Sequence, residues 1–153
     1  MGAVYFYHLT ERPLEATLPT LLGKSLAAGW RVAVLGPTEE RIKQLDSALW
    51  QGEGFLPHGL AGGPHDDAQP ILLTTADLPD GVNCLMAIDG AEFDLSLSKS
   101  LERTCVLFDG GNEAVLEKAR TVWKDVSAAG IEAQYWAEDG GRWVKKAENA
   151  PEC

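Results

Sequence analysis

Residues 31–40 read Arg31-Val32-Ala33-Val34-Leu35-Gly36-Pro37-Thr38-Glu39-Glu40. The short apolar run from Arg31 to Leu35 has the pattern of a strand covered on both faces, the usual state of a strand in a parallel sheet. Pro37 to Glu40 reads as a helix start, and Glu39 and Glu40 place negative charge in the first turn, where the helix dipole favours it. Ile42, Leu45, Ala48 and Leu49 then recur at helical spacing and mark a core face, with Trp50 closing the helix. A covered strand feeding an amphipathic helix is the unit of an α/β fold.

The flanking segments repeat the alternation. Val4 to Leu9 is rich in β-branched and aromatic residues and reads as a strand. Thr10 is placed to cap a helix starting near Glu11, with Pro13 tolerated in its first turn. Leu14, Leu18, Leu21, Leu22 and Ser25 fall at helical spacing, Pro19 is expected to kink or break that helix, and Gly29 ends it. Residues 51–70 are rich in Gly, Pro and His and read as a loop. Ile71 to Thr75, Cys84 to Ile88 and Thr104 to Phe108 are further strand candidates. Asp109-Gly110-Gly111-Asn112 turns the chain into a long helix, Glu113 to Ala129, ended by Gly130. Ile131 to Trp136 and Arg142 to Lys146 alternate around Asp139-Gly140-Gly141 as a hairpin.

The expected architecture is therefore α/β: a mainly parallel sheet with helices on both faces, a Rossmann-like three-layer arrangement, with a C-terminal β-hairpin. Residues 1–146 are expected to form a single domain, and 147–153 a disordered tail.

Bulk properties exclude several function classes. No apolar run is long enough to span a bilayer, and Met1 to Tyr7 lacks the basic start of a signal peptide, so a cytoplasmic protein with no membrane partner is expected. Cys84, Cys105 and Cys153 are an odd set with no Cys-x-x-Cys spacing, which argues against a disulfide framework or a zinc site. The formal net charge of -10 repels phosphate backbones, so direct DNA binding is not expected.

Catalytic and cofactor motifs are sparse. The turn after the first strand, His8-Leu9-Thr10-Glu11-Arg12-Pro13, has no glycine to let backbone approach a pyrophosphate. The turn at Gly36 is followed by Glu39 and Glu40, which repel an anion. Asp109 to Asn112 is the remaining turn that suits the alternative reading, a nucleotide-binding or small-molecule enzyme on a doubly wound sheet. Its simpler reading is a tight strand-to-helix connection with Asn112 near the cap. His58 has no nucleophile motif beside it. His65-Asp66-Asp67 are consecutive loop residues that rarely converge on one metal ion, so a solvated turn is expected there. No cofactor, metal or catalytic residue is assigned, and enzymatic activity rests on fold analogy alone.

The last helix is the most informative segment. Val115, Ala119, Val122 and Val126 form one apolar stripe. Leu116 and Trp123 lie at its edge, Arg120 lies next to both, and Lys124 is one turn further on. An aromatic wall, an aliphatic wall and two cations side by side suit an anionic peptide end that carries an apolar side chain. The hairpin adds Tyr135, Trp136, Arg142, Trp143, Lys145 and Lys146, and six of the 13 Lys and Arg residues lie between Lys118 and Lys146. A solvated helix face with Trp123 at the core edge accounts for the same pattern.

Tyr5-Phe6-Tyr7, Gly29-Trp30-Arg31-Val32-Ala33-Val34, Leu45-Asp46-x-x-Leu49-Trp50 with Phe55-Leu56-Pro57-His58-Gly59-Leu60-Ala61, and Ala119-Arg120-x-x-Trp123-Lys124 with Gly130 together resemble the chi subunit family of bacterial DNA polymerase III. The resemblance covers nearly the whole chain. It implies a non-catalytic clamp-loader subunit that binds the acidic, apolar-ended C-terminal tail of single-stranded DNA-binding protein. It implies tail binding by Arg120, Trp123 and Lys124, with Leu116 standing where well-known members carry a further lysine. It also implies binding of the psi subunit through Trp50, Phe55 and Pro57, and it allows partnership with a repair helicase.

Overall fold

The structure is a computed structural model that describes residues 3–10, 14–51, 58–60, 70–75, 81–93, 95, 100–140 and 142–149. Its strands are β1 (Ala3–Leu9), β2 (Val32–Leu35), β3 (His58–Leu60), β4 (Ile71–Thr74), β5 (Cys84–Ile88), β6 (Arg103–Asp109), β7 (Ala133–Asp139) and β8 (Arg142–Asn149). Helices α1 (Leu14–Ala27), α2 (Glu39–Gln51) and α3 (Glu113–Ala128) connect them. The eight strands form one sheet in the order β3-β4-β2-β5-β6-β1-β7-β8. All neighbours pair parallel except β7 and β8, which form the antiparallel C-terminal hairpin.

The expected α/β sheet with helices on both faces is what the structure has. One face packs Leu18 and Leu22 of α1 and Leu45 and Leu49 of α2 against Val32, Val34, Ile71, Met86 and Leu107. The other packs Ala119 and Val126 of α3 against Val4, Phe6, Val106 and Phe108. Strands β2, β4 and β5 are buried along their whole length, as the unbroken apolar runs predict. Among the described residues no helix is long and apolar enough to cross a membrane.

Several local expectations are corrected. Pro19 neither ends nor splits α1, which runs through it to Ala27. An interior proline costs a helix about 3 kcal/mol. Burial of Leu14, Leu18, Leu21 and Leu22, each contributing roughly 1.5–3 kcal/mol, offsets that cost. The expected helix start at 11–13, which Thr10 is placed to cap, lies outside the described residues, and α1 is described from Leu14. The Thr10 hydroxyl donates to the Glu138 carbonyl at 3.1 Å and its N–H to Glu138 Oε1 at 3.2 Å, fastening the end of β1 to β7. The segment 51–70, expected as loop, contains strand β3, which pairs parallel with β4 from His58↔Ile71 to Leu60↔Leu73. Three residues after Pro57, with Gly59 in their middle, are too few for a period to show. Strand β8 extends to Asn149 instead of ending at Lys146, so Ala147 to Asn149, expected in a tail, pair with Ala133 to Tyr135. A register shift at Tyr135/Trp136 carries the pairing past that point. The sheet-facing alternation is lost there, and with it the sequence signal.

Candidate functional site

Helix α3 is launched by the Asp109–Asn112 turn. Asn112 is its N-cap, accepting from Val115 N–H at 3.2 Å, and Asp109 Oδ1 accepts from Gly111 N–H at 2.8 Å. The turn therefore spends these two backbone donors on its own side chains, one of them the Asp109 carboxylate, whose charge repels an anion. That is the strand-to-helix connection of the simpler reading. At the other end, Gly130 adopts φ 72° and stops the helix where the sequence placed the stop.

The helix lies on β6, β1 and β7 with Ala119 and Val126 fully covered and Val115 and Val122 partly so, the predicted stripe. Leu116 and Trp123 are half-buried at its edge. Trp123 stands edge-on to Phe6 of β1, ring centroids 5.3 Å apart, and to Tyr135 of β7 at 6.0 Å. Such pairs contribute about 0.5–1.5 kcal/mol beyond area burial. They hold the indole in one orientation, with part of it at the surface.

Arg120 and Lys124 are exposed on the same side of the helix. Among the described residues, neither pairs with a carboxylate. By contrast Lys118, on the far side of α3, reaches Gly90 O at 3.4 Å and Glu92 at 4.0 Å. The structure thus brings Leu116, Arg120, Trp123 and Lys124 together as one surface.

One neighbour, His8, has no role assigned from sequence, and it meets Tyr135 of the hairpin. His8 of β1 sits beneath this surface, its Nδ1 2.8 Å from the Tyr135 hydroxyl, a hydrogen bond whose direction follows the histidine tautomer. Its ring also packs against Phe108 at 5.1 Å. Burial lowers the His8 pKa, the nearby Arg120 charge lowers it further, and Asp109 opposes both. Burial raises the Tyr135 hydroxyl, with Arg120 opposing. His8 and Tyr135 therefore stay uncharged at neutral pH beside an unpaired guanidinium. Strand parity puts His8 on the same face as Val4 and Phe6, but only the order β6-β1-β7 brings it between Phe108 and Tyr135.

The other expected surface is less fully visible. Trp50 belongs to the last turn of α2, but its side chain, like Phe55 and Pro57, lies outside the described residues. The His65-Asp66-Asp67 turn lies outside them too. Among the described residues no His, Cys, Asp and Glu cluster has metal-binding geometry.

No curated protein matches the chain. The family model of the DNA polymerase III chi subunit, HolC, matches residues 1–134, and the chain belongs to that family.

Proposed function

We propose that this polymerase III accessory subunit is a non-catalytic adaptor that binds the acidic C-terminal tail of single-stranded DNA-binding protein on the outer side of α3 and links it to the clamp loader. Arg120 grips the terminal carboxylate, Trp123 and Leu116 line the pocket for the last apolar side chain, and Lys124 attracts the acidic residues before it. The observation that carries this reading is a pair of exposed cations without carboxylate partners, set beside a half-buried indole in an otherwise acidic chain. We propose that the psi subunit binds through Trp50, Phe55 and Pro57.

A fluorescence-anisotropy titration with a labelled tail peptide tests the tail site. Wild type is expected to bind saturably and more weakly as salt rises. Arg120→Ala is expected to lose about 1.5 kcal/mol or more, the value of a charged hydrogen bond. Salt-independent binding, or binding unchanged by Arg120→Ala, contradicts the assignment. Trp50→Ala is expected to weaken co-elution with psi on a sizing column and leave tail binding intact.

A further inference from the structure

The face of the sheet opposite α3 holds a cleft of about 610 Å³ between α1 and strands β1, β6, β7 and β8. It is unrelated to the surface just described. Among its described lining residues none is Asp or Glu, in a chain with 23 of them. Its floor carries Arg103, whose guanidinium carbon lies 4.1 Å from the Tyr5 ring centroid and 5.0 Å from that of Trp30. Among the described residues no carboxylate pairs with Arg103, and its Nε–H is buried without an acceptor. The Thr17 hydroxyl, on a residue only 5% exposed, also lines the cleft and is also unpartnered. Unmade hydrogen bonds on two buried groups in one cleft cost stability, and a ligand that completes them recovers it.

The walls describe the rest of that ligand. Trp136 and Trp143 of the hairpin and Trp30 line the cleft, and Tyr7 stands edge-on to Trp143 at 5.3 Å. Burial pushes the Tyr7 hydroxyl well above its ordinary pKa, with Cys105 adding to the rise, so it remains a neutral donor. Lys24 stands exposed at the rim. Helix α1 lines the cleft from Thr17 through Ser25 and on to Ala28 just past its C-terminal end, where the helix dipole is negative and disfavours a multiply charged phosphate. One half-buried guanidinium, already cushioned by two aromatic faces, matches a single negative charge.

We propose that this cleft is a second binding site, for a small carboxylate carried on a flat aromatic body, with Arg103 gripping the carboxylate and the tryptophans enclosing the ring. Calorimetric titration of the full chain with indole-3-propionate tests it, with the neutral indole-3-propionamide and thymidine monophosphate as comparison ligands. The acid is expected to bind saturably at one site. The amide, and the acid with Arg103→Met, are expected to bind at least about tenfold more weakly. Arg120→Ala is expected to leave the affinity unchanged. The proposal is overturned by absence of saturable acid binding, by equal binding of the amide, by tighter binding of the nucleotide, or by loss through Arg120→Ala instead of Arg103→Met. Should Arg103→Met fail to fold, Lys24→Met at the exposed rim decides: at least about twofold weaker binding at low salt supports the site, and unchanged affinity overturns it.

Discussion

His8 occupies the space a side chain at Gly110 would need: a Cβ built on Gly110 falls 1.7 Å from His8 Nε2. The glycine of the β6–α3 turn is thus required by a histidine on the neighbouring strand, not by an unusual φ of its own. That contact seats His8 under α3 and against Tyr135. Gly110→Ala is expected to displace the ring, break the His8–Tyr135 hydrogen bond and cost roughly 1–3 kcal/mol by overpacking. Denaturant melts of Gly110→Ala, His8→Ala and the double variant check this. The double variant should cost less than the sum of the two singles, and simple additivity would place the clash elsewhere.

The depressed pKa of His8 sets a pH dependence. Its folded value lies below the ordinary 6.5 because of burial first and Arg120 second. Below pH 6.5 the unfolded chain takes up a proton that the folded chain resists, so this contribution to stability is present above that value and lost as pH falls through the folded pKa. The melting temperature is expected to fall as pH is lowered through and below 6.5, and less steeply in His8→Phe. Equal slopes in the two proteins would remove His8 from the account.

At the same carboxyl-terminal end of the parallel strands, Arg41 of α2 joins Glu15 of α1 and Asp89, just after β5, by ion pairs on both sides. Asp89 holds φ at 51°, in the left-handed region. Asp89→Gly loses only the ion pair, whereas Asp89→Ala loses it and keeps a strained backbone. The alanine variant is expected to be less stable than the glycine variant by about 1 kcal/mol. Thermal melts of the two distinguish backbone strain from charge loss; equal stabilities would assign the whole effect to the ion pair.

Trp123 and Arg120 should separate stability from recognition. Trp123 packs on Phe6 and Tyr135, so Trp123→Ala is expected to cost roughly 2–3 kcal/mol of folding stability as well as tail binding. Arg120 is exposed, so Arg120→Ala should change stability by no more than about 0.5 kcal/mol. A stability loss in Arg120→Ala comparable to that of Trp123→Ala would make the guanidinium a structural group.

Much of this was legible in the sequence where a period or a cap carries the signal. The runs at Val32–Leu35 and Cys84–Ile88, the Asn112 cap and the Gly130 stop stand where local chemistry put them. Leu116, Arg120, Trp123 and Lys124 share one side of α3 because helical spacing dictates it. What escaped was set by distant partners. Pro19 survives in α1 because four buried leucines hold the helix, and β3 exists because β4 offers an edge. Arg103 and Tyr5 meet because β6 and β1 are neighbours, which no periodicity encodes. The same holds for His8, whose partners Phe108 and Tyr135 come from the strands on either side of β1.

The central claim is that Arg120 holds the terminal carboxylate of the tail. A thermodynamic cycle crosses wild type and Arg120→Ala with the tail peptide as free acid and as C-terminal amide. If the two groups are in contact, amidation weakens wild-type binding and has little further effect on Arg120→Ala, with a coupling of about 1.5 kcal/mol or more. Additive losses, with coupling near zero, would contradict the contact and with it the placement of the tail on α3.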